Sequence, residues 1–307
     1  NIAIGKNAYN SSDTENDNIA IGYDAMTTDT AGGTQNIAIG NYALDALTSG
    51  DSNVALGHNA MTINAAGTQN TSIGTYTLQA NTTGNYNTAI GYGVMIANTT
   101  GGENTAIGRE ALDANVTGSN NTAIGNGALG ANLADSNTAM GYRALYVNTT
   151  GNANVAVGNG ALIANTTATR NTAVGSGALT ANTTGANNTA VGQTALEENS
   201  TASNNTFVGK EAGRRITEGD NNTGIGVDAG ENITTGSNNT SVGYNANPTS
   251  TTVDNEISLG NGSNDNLRCA DTSISALSDS RDKTNIVDIP LGLSFLNTVR
   301  PVSFDWD

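Results

Sequence analysis

One aliphatic residue followed by a glycine returns along this chain about every 17 residues. Counted from the asparagine that opens each copy, the repeat reads N-T-A-I/V-G-x-x-A-L-x-A-N-T-T-G-x-x. It begins at Asn1, its last regular copy opens at Asn239, and a stretched copy opens at Asn255, making sixteen in all. The spacing is 17 residues apart from two gaps of 16 and one of 18. The fourth slot is aliphatic from Ile4 to Val242, and the fifth is glycine from Gly5 to Gly243. A glycine fixed at one position implies positive φ or a backbone contact too close for a Cβ. Each copy therefore predicts a short strand, Thr-Ala-Ile, ended by a glycine corner. The eighth and ninth slots, mostly Ala-Leu as in Ala111-Leu112 and Ala178-Leu179, predict a second inward row beside that of the fourth slot. This row is either a second strand or one helical turn. The short period favours a strand. Asn-Thr-Thr-Gly, as at 98–101 and 148–151, reads as the return turn.

A strict period in this range is the signature of a solenoid, one supersecondary unit stacked on itself. At the strand spacing of about 4.8 Å, sixteen coils make a rod roughly 75 Å long. Two large aliphatics per coil contribute about 1.5–3 kcal/mol each when fully buried. Ordering a coil costs about 1–2 kcal/mol per residue. Inter-coil hydrogen bonds and burial against sister chains must supply the difference, so a homo-oligomer is expected.

Composition changes this picture little. Only 12% of residues are charged and 4% aromatic, which alone would suggest disorder. The fixed slots of the aliphatics argue for order. A net charge of −16 argues against nucleic acid as a partner. No apolar run approaches the length of a membrane span. Cys269 is the single cysteine, so no internal disulfide is expected. Asn1 lies within a repeat, and the natural N-terminus is expected upstream.

The tandem "NTAIGxxALxANTTG" coils resemble the head repeats of trimeric autotransporter adhesins and repeats of phage tail-fibre proteins. The resemblance implies a parallel β-roll with three rolls packed side by side. The period of 17 is longer than the adhesin coil, which leaves the cross-section open. The tail "SDSRDKTNI…LGLSFLNTVRPVSF" is similar to the start of the C-terminal intramolecular chaperone domain of phage tail spikes and fibres. The family motif Ser-Asp-x-Arg-x-Lys is matched by Ser278, Asp279, Arg281 and Lys283. The resemblance implies a self-cleaving domain that assembles the trimer and is cut off after Ser278. Ser278 would be the nucleophile and Lys283 the base, with Asp279 and Arg281 setting geometry. Such a pairing is needed because a serine hydroxyl is a weak nucleophile until a base takes its proton. The chemical alternative is that Ser278 caps a helix whose first turn holds Asp279 and Asp282. A register-setting domain also has a physical rationale, since near-identical repeats pair out of register at little cost.

Tyrosines cluster just after the glycine corner: Tyr23, Tyr42, Tyr76, Tyr92, Tyr142 and Tyr244. Tyr23, Tyr92 and Tyr142 are candidates for stacking on host-surface sugars. The alternative is that they cover the edge of a thin core. Lys210, Arg214 and Arg215 form a basic knot on an acidic chain, either a contact site, a solvated loop or an interchain salt bridge. His58 is the single histidine, so no zinc set is expected. No calcium β-roll pattern, external-substrate catalytic set or cofactor motif stands out. The many Asn-x-Thr triplets are better explained as stacked side-chain ladders than as glycosylation sites.

Together these readings predict an all-β chain. Residues 1–247 form a parallel β-solenoid shaft in a side-by-side homotrimer, 248–277 a connector, and 278–307 the start of an α-containing chaperone domain. The expected role is a structural fibre of a phage tail, located in the virion and mediating host attachment. Its partners would be itself, other tail proteins and a cell-surface glycan or protein receptor. The alternative is a trimeric adhesin of a bacterial surface.

Overall fold

The computed structural model describes residues 1–10, 16–28 and 33–264. The compact unit Asn1–Ser263 is an all-β solenoid built on sixteen three-residue strands, β1 (Ile2–Ile4) to β16 (Ile257–Leu259), with no helix among the described residues. All sixteen lie in one parallel sheet in chain order. Pairing is in register one coil apart, as in Thr172↔Thr189, Ala173↔Ala190 and Val174↔Val191. Every coil therefore superposes like on like. The copy expected from Asn255 begins one residue later, because Ile257 pairs with Thr240 and the Glu256 amide occupies the first slot.

The asparagine of slot 1 holds this arrangement. Its Oδ1 accepts the backbone N–H of slot 1 in the next coil, in an unbroken column from Asn1 to the Glu256 amide, at 2.7–3.1 Å. Its Nδ2 donates to the slot-15 carbonyl of its own coil, as from Asn171 to Gly185 and from Asn188 to Ala202. One side chain thus closes a coil and joins it to the next. A second column runs through slot 12 from Asn64 to Asn199, each Nδ2 donating to the return-turn carbonyl of its own coil and, from Asn81 on, to the preceding asparagine, with one break at Asn132 in a coil of 16 residues. Apart from Asn1 at the end of the ladder, the asparagines of both columns are buried. Slot-13 hydroxyls add a third, as Thr82 and Thr183 donate to the carbonyls of Thr99 and Ser200.

Two expectations about the inward rows are corrected. The strand turns its middle residue inward: the slot-3 alanines from Ala20 to Ala190 are fully buried, while the flanking slots 2 and 4 face out. With a period of two, a three-residue strand buries either its centre or its flanks. The coil is thin, and a methyl fills the gap to the slot-9 side chain opposite. Slots 8 and 9 are indeed buried, but they form a turn and not a strand. Slot 9 is left-handed in every coil from Met26 to Leu196, with φ of 48–54°, and slot 7 is left-handed as well. Left-handed residues at alternate positions exclude a pleated strand. The turn still stacks through coil-to-coil bonds such as Leu78 N–H to the Val94 carbonyl at 3.0 Å.

The slot-5 glycines have φ between 120° and 147°. From Gly5 to Gly226, a Cβ there would lie closer than 3.0 Å to backbone of the next coil. Both reasons for glycine hold at once.

One stretch repacks the core. Phe207 takes the slot-3 position of β13 (Thr206–Val208) and is fully buried. The side chains that would collide with it are missing: Gly213, Gly224 and Gly230 stand where other coils carry Leu, Ala and Leu, and each would put a Cβ within 3.0 Å of its ring. Ile216 and Ile233 replace the slot-12 asparagines beside it. Phe207→Ala is expected to cost about 3–5 kcal/mol by leaving a cavity. Adding Gly213→Leu restores the composition of the other coils and should bring thermal unfolding back to within about 1.5 kcal/mol of wild type.

Candidate interaction surface

Three surface features follow from this frame. The first is the outer face of the sheet. Slot 4 presents a continuous aliphatic column, while slot 2 is Ile or Val in the first four strands and Thr in most of the others. No strand residue carries a charge. Several column members are well exposed, including Leu56 at 43% and Ile225 at 49%. For three-residue strands stacked at about 4.8 Å, this face covers on the order of 700 Å². With Thr in slot 2 of most strands, its apolar part is comparable to the roughly 300–600 Å² of the largest apolar patch on a typical monomer.

The second is an aromatic track at the corner after the glycine. Tyr23, Tyr42, His58, Tyr76 and Tyr92 come from five consecutive coils, alternating between slots 6 and 7. Neighbouring ring centroids are 5.5, 6.0, 5.6 and 5.9 Å apart, with interplanar angles of 78–87°. The Lys6 ammonium sits 5.6 Å from the Tyr23 ring centre at one end. At the other end follows Arg109, which forms an ion pair with Glu110 at 2.8 Å. Of the expected sugar-stacking tyrosines, the fold brings Tyr23 and Tyr92 into one track and leaves Tyr142 outside it. Arg143 instead lies 5.4 Å from the Tyr142 ring centre and 5.1 Å from that of Tyr146. Tyr42, Tyr76 and His58 complete the track. In sequence a lone histidine signals no more than a candidate metal ligand, and only the stacked coils place His58 between Tyr42 and Tyr76.

The third is the cluster of Lys210, Arg214 and Arg215, which the fold brings together and largely neutralises. Lys210 pairs with Glu211 at 2.7 Å, Arg214 with Glu231 at 2.8 Å and Arg215 with Glu231 at 3.4 Å. The hydrogen bond from Lys210 holds the Glu211 carboxyl below the usual carboxylate range. The cluster is therefore no free basic patch. It sits over the coils that carry Phe207 and Gly230.

A shallow groove at the slot-16/17 corner is lined by Asn85, Tyr86, Gly102, Glu103, Ser119 and Asn120. Among the described residues, no three His, Cys, Asp or Glu side chains gather as metal ligands, and no helix is long and apolar enough to cross a membrane. Ser278, Asp279, Arg281 and Lys283 lie outside the described residues. No known protein family, curated protein or solved structure matches the chain.

A depressed carboxyl contributes stability above its unfolded pKa and loses it as pH falls through the folded value. The difference in thermal midpoint between wild type and Glu211→Gln should thus hold steady above about pH 5 and shrink progressively as pH falls below the ordinary glutamate range. A difference that persists at the acid end would contradict this assignment.

Proposed function

We propose that this chain is a shaft segment of a fibre, from a phage tail or a related appendage, working as a homotrimer that reaches a host surface. The uncharged apolar face of the sheet carries the reading. A chain with net charge −16 that keeps sixteen consecutive strands free of charge has a face suited to burial. The face is repetitive along its length, and the partner that matches such a periodic surface at every coil is a parallel copy of the same chain. Its area is close to the roughly 800 Å² per partner of a stable interface. Sister faces also supply the burial that each coil lacks internally, since the core holds one large aliphatic and two alanines per turn.

The C-terminal motif fits the same role. In this proposal Ser278, activated by Lys283, cuts the chain after a chaperone domain has set the register of three near-identical ladders. Once cut, the trimer is held by kinetic as well as thermodynamic barriers, because the domain that guided assembly is gone.

The full-length protein is expected to have three times the chain mass in solution, by light scattering. Ile107→Glu with Ile124→Glu places charge on the outer face without touching the core, and should give a single-chain mass with unchanged far-UV circular dichroism. A wild-type monomer overturns the assembly. Under denaturing conditions, intact mass should show a fragment ending at Ser278 that is absent from Ser278→Ala. An uncut wild-type chain removes the cleavage step alone.

A further inference from the structure

We infer that the track from Tyr23 to Tyr92 is a binding track for a linear, uncharged polysaccharide. The inference deepens the attachment reading above and rests on it for its setting. The coil itself does not require these rings. Asn126-Gly127, Asn159-Gly160 and Ser176-Gly177 fill the same two slots elsewhere, and β-pairing there keeps the same register. The slot-7 rings Tyr42 and Tyr76 have φ of 61° and 58°, in a slot that holds Gly93, Glu110, Gly127, Arg143 and Thr194 at φ of 51–64° in other coils. The fold therefore takes many residue types there and does not itself select a ring.

The geometry suits a sugar chain. Each ring braces the next edge-to-face, so the track is fixed before a ligand arrives and little is lost in ordering it. The slot-6 rings Tyr23, His58 and Tyr92 are exposed, and the slot-7 rings between them are half-buried. Exposed platforms therefore recur at every second coil, in a line along the stacking direction. Polar groups flank the rings. Asn41 Oδ1 accepts the Tyr23 amide at 3.1 Å, and Asn7 donates to Asp24 at 2.9 Å. An apolar ring face beside amide and carboxylate groups matches a pyranose, with its C–H face and its rim of hydroxyls. The length of the track, about 20 Å at the strand spacing, calls for a linear polymer and not a single sugar. Its width of one ring is too small for a protein interface of standard size. Lys6 at one end and the paired Arg109 and Glu110 at the other leave no basic surplus over Asp24 beside the track, and the net charge of −16 disfavours a polyanion.

The test uses the full-length chain on an array of neutral linear hexasaccharides (β-1,4-linked glucose, β-1,4-linked N-acetylglucosamine, α-1,6-linked glucose and β-1,4-linked mannose), with a heparin hexasaccharide and a collagen peptide alongside. Wild type should bind at least one neutral hexasaccharide and bind its disaccharide more weakly. Tyr23→Ala with Tyr92→Ala should reduce binding by about tenfold or more, the loss typical of removing aromatic anchors. Tyr142→Ala, off the track, should bind as wild type. No binding to any neutral hexasaccharide, binding to heparin or the collagen peptide only, or full binding by the double variant overturns the inference. Mass in solution is measured on the same samples. An assembled trimer that binds none of the sugars overturns the track and leaves the fibre reading intact. A monomer that binds overturns the assembly and leaves the track.

Discussion

A buried asparagine amide in the first slot of each coil is the interaction on which this structure depends. Its carbonyl oxygen accepts from the next coil, and its NH₂ group closes its own. A thin coil with little to bury cannot leave backbone groups unpaired at its centre, since each costs about 1–3 kcal/mol. The amide supplies a donor and an acceptor from a single side chain, and this matches the two demands made at that point. Aspartate would lose the donor and introduce a buried charge, and leucine would lose both functions. The slot-5 glycines follow from the same tight stacking, because coils drawn this close leave no room for a Cβ at the corner. The slot-12 column is less strict. Leu47, Ile216 and Ile233 replace its asparagines and are fully buried.

Uniform stacking has two consequences. The pleat that sends slot 3 inward sends the aliphatic side chain of slot 4 outward at every coil, so the solenoid makes its own apolar face. Identical coils also leave the ladder open to slippage by a whole repeat. Phe207 works against this within the chain. Its ring fits only where Gly213, Gly224 and Gly230 have vacated the core, and other coils carry Leu, Ala and Leu at those slots. The ion cluster of Glu211, Arg214 and Glu231 joins the same two coils from outside.

The period, the strand at slots 2–4, the glycine corner and the asparagine ladders were all legible in the sequence, because each comes from one residue type at a fixed spacing. Which face of the strand lies inside was not. A Thr-Ala-Ile triplet puts its larger apolar group on the flank, and hydrophobicity alone assigns that flank to the core. The left-handed turn at slots 7 and 9 was legible in part, since slot 7 alternates between Gly93 or Gly127 and Asn7, Asp24 or Asn59, the residues that tolerate positive φ. Leucine at slot 9 gave no such sign, because tertiary packing overrides its backbone preference there. The aromatic track was hidden by its alternation between two slots. Only the stacked coils show that Tyr23, Tyr42, His58, Tyr76 and Tyr92 form one line. The partners of the basic knot within its own chain were hidden because Glu231 lies a whole coil away from Arg214 in sequence.

The most direct test of the asparagine account compares two substitutions in one coil, by thermal unfolding followed with circular dichroism. Asn188→Leu removes a slot-1 amide, leaving the Asn205 N–H without its acceptor and the Ala202 carbonyl without one of its donors. Asn199→Ile extends the apolar run already begun by Ile216, and it removes an Oδ1 that has no partner while leaving the Asn182 Oδ1 without its donor instead, so the number of unpaired buried groups does not rise. The account predicts a loss of about 2–3 kcal/mol for the first and less than about 1 kcal/mol for the second. Equal losses, or a larger loss for Asn199→Ile, would contradict the claim that slot 1 holds the coils together.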